Sequence, residues 1–173
     1  SLNVFYYACS YAKVDYSNFM NITARTALKL IPDPLKTHPV FLCVDDTMVS
    51  KSGKKFENVS KLFNHAAHNG SNYLNGHCFV SIMLCVPVLD HDKISYLSVP
   101  LGYRMWQKKE SELELAASMI RQVMPEFLSK EHVIILCDSW YTKKNLVSII
   151  DEYPNLDLIG NARIDSVMYD LAP

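Results

Sequence analysis

The sequence predicts a mixed α/β domain whose sheet opens on antiparallel strands and ends in parallel ones, with helices on its faces. Three observations carry that expectation. Continuous apolar runs of strand length, "VFLCVD" from Val40, "HVIILCD" from His132 and "LDLIGNA" from Leu156, have the character of central strands covered on both faces. Two longer runs, "HCFVSIMLCVPVL" and "ISYLSVPLGYRM", are joined by "DHDK", which reads as the tight turn of a hairpin. Segments with helical period separate the later strands, and this gives the order strand, strand, strand, helix, strand, helix, strand, which implies a mixed sheet.

Each element has its own justification. Residues 4–31, rich in Tyr, Ala, Leu and Met with polar interruptions, read as one or two helices that stop before "PDPLKTHP", whose prolines break helix and mark a linker. Residues 1–37 are therefore expected to form a helical segment and linker, and 38–173 the main domain. From Thr47 to Gly76 the chain is polar and without clean period, so an extended loop is expected, of a length that in compact domains is usually functional or disordered. The run from Ile94 alternates, which would put Leu97, Val99, Leu101, Tyr103 and Met105 on one face. "SELELAASMIRQVM" places Leu113, Ala116, Ala117, Ile120 and Val123 on one helix face, begins with a capping box from Ser111 to Glu114, and has Pro125 beyond its end. "TKKNLVSIIDEY" reads as a helix stopped by Pro154. There is no internal repeat and no low-complexity segment.

The totals narrow the function. With 173 residues and 49% hydrophobic side chains the chain has ample material for one packed core. A formal charge of −1 supplies no net pull toward nucleic acid, so any contact with it must rest on local patches. The five cysteines include no CxxC pair and four sit in apolar strand-like runs, which suits reduced thiols in a cytosolic protein. The longest apolar run, twelve residues, is shorter than the ~20 a membrane helix needs, and no secretory signal is visible, so no membrane role is expected. Neither end has the polar tail usual at a natural terminus, and the chain reads as part of a longer protein.

"VFLCVDDTMVSKSGKK" poses the chemical question, because two adjacent carboxylates repel and burying either without a partner is expensive. The element order resembles the ribonuclease H-like fold, in which the first and fourth strands lie side by side and parallel. That fold would bring Asp45/Asp46 and Asp138 to neighbouring strand ends. Carboxylates so placed suit Mg²⁺, a hard cation that keeps room for water and phosphate, and a pair of such ions can activate an attacking hydroxyl and stabilise a leaving oxygen. Neighbours in a strand point to opposite faces, so one of Asp45 and Asp46 would aim at the cation.

"VDDTMVSKSGKKFENVSKLFNH", "GHCFVSIML", "VPLGYRMW", "VIILCDSWYTKKNL" and "LIGNARIDSVMYDLAP" resemble, in this order, segments of DDE transposases encoded by bacterial insertion sequences, of the group with Asp-Asp-Thr and Asp-Ser-Trp-Tyr motifs. The resemblance covers roughly residues 38–173. It implies that Asp46 and Asp138 are catalytic and bind Mg²⁺ or Mn²⁺, two ions in the complete protein. It also implies cutting of DNA at transposon ends and joining of the freed 3′ hydroxyl to target DNA, within a dimer or larger assembly on DNA in the bacterial cytoplasm. The family's third acid, a glutamate on a later helix, has no counterpart, since Asp165 and Asp170 fall in a non-catalytic Arg-x-Asp stretch; the chain alone is therefore expected to be inactive. Lys51, Lys54 and Lys55 are placed to meet the phosphate backbone, with Arg104, Lys108 and Lys109 extending the patch. Asn58 stands where the family pattern has glycine, and Asn64 where Asp commonly precedes the histidine.

Other readings of the same residues exist. His65, His68, His77 and Cys78 have a spacing that could suit zinc, although structural zinc sites usually show paired cysteines. Trp140 and Tyr141 could stack on bases, but a core or helix-start role is the simpler expectation. A receiver-type signalling domain would share "FLCVDD" and could use Asp90 or Asp92, but it needs a helix directly after the acidic pair. A transposase-derived domain that only binds DNA or protein would share every motif.

Overall fold

The computed structural model describes residues 2–13, 15–53, 55–63 and 72–162. Helices α1 (Leu2–Tyr11) and α2 (Tyr16–Leu28) precede strand β1 (Val40–Ser50). Strands β2 (Ser60–Phe63), β3 (Tyr73–Asp90) and β4 (Lys93–Met105) follow, then helix α3 (Glu112–Val123), β5 (Val133–Cys137), the single-turn helix α4 (Lys144–Val147) and β6 (Leu156–Gly160).

The sheet runs β2–β3–β1–β5–β6, and β4 pairs with β3 on the edge that β2 shares. Antiparallel pairing joins β1 to β3 and β3 to β4, while β1 to β5 and β5 to β6 are parallel. The expected mixed sheet is thus present, with the first strand beside and parallel to the strand that leads into Asp138. The "DHDK" turn is a two-residue hairpin in which His91 and Asp92 have φ of 47° and 61°. Both residues in the left-handed region is the geometry that matches the twist of the flanking strands.

Helices α2, α3 and α4 pack over one face of the sheet. That face carries Leu42 and Val44 of β1, Val80, Ile82 and Leu84 of β3, and Ile135 of β5, all buried with Met119, Ile120, Leu146 and Ile149. The other face is only half covered, and Met83 and Ile159 on it are exposed. The continuous apolar runs suggested burial on both faces; in β1 the alternation is instead buried for Val40, Leu42 and Val44 and intermediate for Phe41 and Cys43. Capping fixes the start of α3, where the Ser111 side chain accepts from the Glu114 backbone N–H and the Glu114 carboxylate accepts from that of Ser111.

Several expectations need correction. The segment from Thr47 to Gly76 is not one extended loop: β1 continues to Ser50 along β3, β2 pairs Ser60–Phe63 with Tyr73–Gly76, and β3 begins at Tyr73. A polar strand of this kind shows no apolar period because most of its side chains face solvent. The shared face from Leu97 to Met105 is interrupted by a bulge, since Gly102 pairs with Ile82 and Pro100 with Met83, leaving Leu101 as the extra residue. The bulge flips the alternation, so Tyr103 is exposed and Arg104 turns toward α3. The helix from Thr142 to Tyr153 is a single turn of α-helix continued by a 3₁₀ stretch, Ser148–Glu152. Asn58, where the sequence resemblance leads us to expect glycine, has φ of 57°, the left-handed region where glycine is favoured and asparagine is among the better tolerated alternatives.

Candidate active site

The site grows from the point where β1 and β5 part. Their parallel register ends at Val44 opposite Cys137, so Asp45 and Asp46 on one strand and Asp138 on the other are the next residues out. Asp46 shares the helix-covered face with Leu42 and Val44, while Asp45 points to the exposed face and its Oδ1 accepts from the Asp46 backbone N–H at 2.9 Å. The two oxygens of Asp46 have different donors: Oδ1 accepts from the Tyr141 hydroxyl at 3.4 Å, and Oδ2 from the Cys78 thiol at 3.8 Å. Burial raises the Asp46 pKa above the ordinary carboxylate value, and the negative charges of Glu112, Asp45 and Asp138 raise it further, against a small opposing effect of the Cys78 hydrogen bond.

Asp138 organises the turn that follows β5. Its Oδ1 accepts from the backbone N–H of Trp140 at 2.9 Å and of Tyr141 at 3.4 Å, and its carbonyl accepts from the Tyr141 N–H at 3.2 Å. An aspartate side chain bonded to the backbone two and three residues on fixes such a turn without a helix. Tyr141 then enters the core and is fully buried, while Trp140 is half-buried with its indole N–H donating to Glu112 Oε2 at 3.2 Å. Glu112 stands in the first turn of α3 and acts electrostatically on the Cys78 thiol, whose pKa is pushed up by burial and then by the charges of Glu112 and Asp46. Three strands and one helix end therefore converge, with Asp46, Asp138 and Glu112 in one electrostatic neighbourhood. Among the described residues none of these three forms an ion pair.

The family model described as DDE superfamily endonuclease matches residues 10–173, nearly the whole chain. The chain belongs to the DDE superfamily endonucleases. No curated protein matches it. Among solved structures it is similar to the crystal structure of the Mos1 strand transfer complex, at 11% identity with a TM-score of 0.34, over 95% of this chain and 50% of that one. It is also similar to the Mos1 transposase paired-end complex with left transposon end, at 9% identity with a TM-score of 0.36, over 93% of this chain and 50% of that one. This DDE chain thus spans about half the length of the solved chains it matches.

The donor set of the DDE endonuclease fits a hard divalent cation in part. Asp46 and Asp138 supply carboxylate oxygen, and the burial that raises the Asp46 pKa, with the neighbouring charges of Glu112, Asp45 and Asp138 adding to it, is a cost that a cation would offset. Among the described residues no three acid, histidine or cysteine side chains stand close enough to form a cage, so water, phosphate or further ligands would complete the coordination. The zinc alternative involves His65 and His68, which lie outside the described residues, and His77, whose Nε2 donates to the Glu57 carbonyl at 2.8 Å. Asn64, Asp165 and Asp170 also lie outside them.

The basic residues are not gathered at the acids. Because β1 continues past Asp46, Lys51 lies about 16 Å further along at ~3.3 Å per residue, with its Nζ 5.4 Å from the centre of the Phe56 ring. Lys55 is exposed beyond it, and Lys54 lies outside the described residues. Arg104 is engaged by α3, donating to Ser118 Oγ at 3.0 Å and to Gln122 Oε1. Lys108 and Lys109 are exposed. Sequence reasoning missed two residues: Glu112, hidden among the ordinary acids of a helix first turn, and Lys143, whose Nζ sits 3.5 Å over the Trp140 ring. The strand from β1 through Ser50 stands where a receiver domain would have a helix.

Proposed function

We propose that the chain is the catalytic portion of a DNA transposase of the bacterial insertion-sequence type. It would cut phosphodiesters at transposon ends and transfer the freed 3′ hydroxyl into target DNA. The observation that carries the reading is the parallel pairing of β1 with β5, which brings Asp46 and Asp138 to one turn although 92 residues (138 − 46) separate them.

In this reading Asp46 and Asp138 hold Mg²⁺ or Mn²⁺, two ions in the complete protein, and the bound metal supplies charge neutralisation and an activated oxygen nucleophile. The chain's own part is placement. The Asp138 turn and the buried Tyr141 hold the carboxylates where the sheet opens, and the absence of a nearby basic partner among the described residues keeps them available. Lys51, Lys54 and Lys55, which follow the acids in sequence, would meet the phosphate backbone of the DNA flanking the cut, which positions a duplex without reading its sequence. A dimer or larger assembly on DNA, in the bacterial cytoplasm, would bring two ends together.

Asp46→Asn and Asp138→Asn in the full-length protein test the assignment. Both should abolish plasmid cleavage and strand transfer in Mg²⁺ while leaving folding and binding to transposon-end DNA in place. Full activity of Asp46→Asn with loss in Asp45→Asn would move the ligand to the neighbouring acid, and activity in both would end the metal-site reading.

A further inference from the structure

We propose that Tyr141 is a positioning residue that ties the Asp46 carboxylate to the Asp138 turn and so sets the spacing of the two acids. The inference rests on the transposase reading above and extends it to a residue that touches neither substrate nor cation.

Tyr141 meets both acids through different groups. Its backbone N–H donates to Asp138 Oδ1 and its hydroxyl to Asp46 Oδ1, each at 3.4 Å. The ring is completely buried, so the hydroxyl is carried on a body with no freedom to swing. No buried side-chain nitrogen or oxygen among the described residues lacks a partner, and the hydroxyl's partner is Asp46.

The geometry has a directional consequence. Asp46 Oδ1 faces Tyr141 and Oδ2 faces Cys78, so the carboxylate is held at both oxygens and each keeps acceptor capacity for a further partner. A phenol oxygen at 3.4 Å is a long contact, and such contacts commonly shorten when a site is occupied. Trp140, the neighbour on the same turn, is held by Glu112 at the start of α3, so the turn is anchored to the helix layer as well as to β1. Outer-shell partners of metal-binding carboxylates typically change metal affinity by 10–100-fold when removed, and one long hydrogen bond belongs at the lower end, about 10-fold.

The test uses the full-length protein and Mn²⁺ as the probe. Tyr141→Phe keeps the buried ring and should leave the melting temperature of the metal-free protein almost unchanged. It should raise the Mn²⁺ concentration for half-maximal cleavage about 10-fold while the rate at saturating Mn²⁺ stays near wild type. A Mn²⁺ dependence identical to wild type would overturn the proposal. So would a lowered saturating rate with unchanged half-saturation, because a merely structural loss reduces the active fraction and not the affinity. A second measurement separates this inference from the reading beneath it. In metal-free protein at fixed pH, the side-chain carboxyl ¹³C resonance of Asp46 should move in Tyr141→Phe. If wild type and Asp46→Asn prove alike in Mn²⁺ response, the metal reading fails while that resonance still decides the tether: a shift keeps it and an unmoved signal removes it.

Discussion

Asp46 is held as a carboxylate in surroundings that favour its neutral form, and that conflict has a measurable sign. Burial raises its pKa, with Glu112, Asp45 and Asp138 adding to the effect. A carboxyl whose pKa is higher folded than unfolded contributes its full stability below the unfolded value, ~3.9, and loses it as the pH rises through the folded value. At neutral pH, where the unfolded side chain is ionised, the raised pKa therefore opposes folding of the metal-free protein. Asp46→Asn should raise the melting temperature in EDTA at pH 7, and the gain should shrink steadily toward zero as the pH falls to about 3.5. A gain independent of pH would show that packing, not charge, is responsible. Adding Mn²⁺ should stabilise wild type and not the variant, since a ligand that binds only the folded state stabilises it. Sequence pattern exposed Asp46 and Asp138 because each interrupts an apolar strand. Glu112 stayed hidden because an acid in the first turn of a helix already has a reason to be there, the helix dipole.

Strand β6 acts on the site from behind, through the absence of a side chain. Gly160 lies opposite Cys137 in the parallel register, and a Cβ there would collide with Thr142 Cγ2 and approach Cys137 Sγ to 3.0 Å. Thr142 closes the Asp138 turn, its hydroxyl donating to the carbonyls of Ser139 at 3.1 Å and Asn161 at 2.9 Å. Gly160→Ala should therefore cost about 1–3 kcal/mol, the usual range for overpacking, and should lower cleavage by displacing the turn. Gly102→Ala is the control: its Cβ would meet only the flexible Met20 side chain, nearest at 3.5 Å, and a change within about 0.5 kcal/mol is expected. Chemical denaturation of both variants beside wild type checks the pair, and equal losses would refute the argument. Element types were legible where one period ran unbroken, as in α3 and β5. The bulge at Leu101 was not, because alternation in sequence continues through an extra residue while the faces exchange. Neither was β2, four residues whose pairing depends on β3 rather than on its own pattern.

At the scale of the molecule, the two N-terminal helices stand in opposite relations to the core. Helix α2 is built into it: Met20, Ala24 and Ala27 are buried with α3 and the sheet, and Ile31 and Leu35 after the helix join them. Arg25 adds a two-pronged contact to Glu126, at 2.8 and 3.1 Å, just past the end of α3. The sequence could show that these residues are helical and apolar, but an apolar stripe does not name the surface it covers, and the linker prolines gave no sign that Leu35 would be buried. Helix α1 instead presents Val4, Phe5, Tyr6, Tyr7 and Tyr11, each more than half exposed. Residues that bury little on folding contribute little to stability, whereas fully burying a Met or Ile side chain is worth about 1.5–3 kcal/mol against a total of about 5–15 for a domain. Deleting residues 1–13 should therefore leave the denaturation midpoint and the cooperativity of unfolding close to those of the intact chain. Deleting residues 1–35 removes Met20, Ala24, Ala27, Ile31 and Leu35 together and uncovers α3 and the sheet beneath. That variant should unfold at a much lower denaturant concentration or fail to accumulate as soluble protein. A large loss from the shorter deletion would mean that α1 is as much a part of the core as α2, and equal stability of both would place the core in the sheet and α3 without either helix.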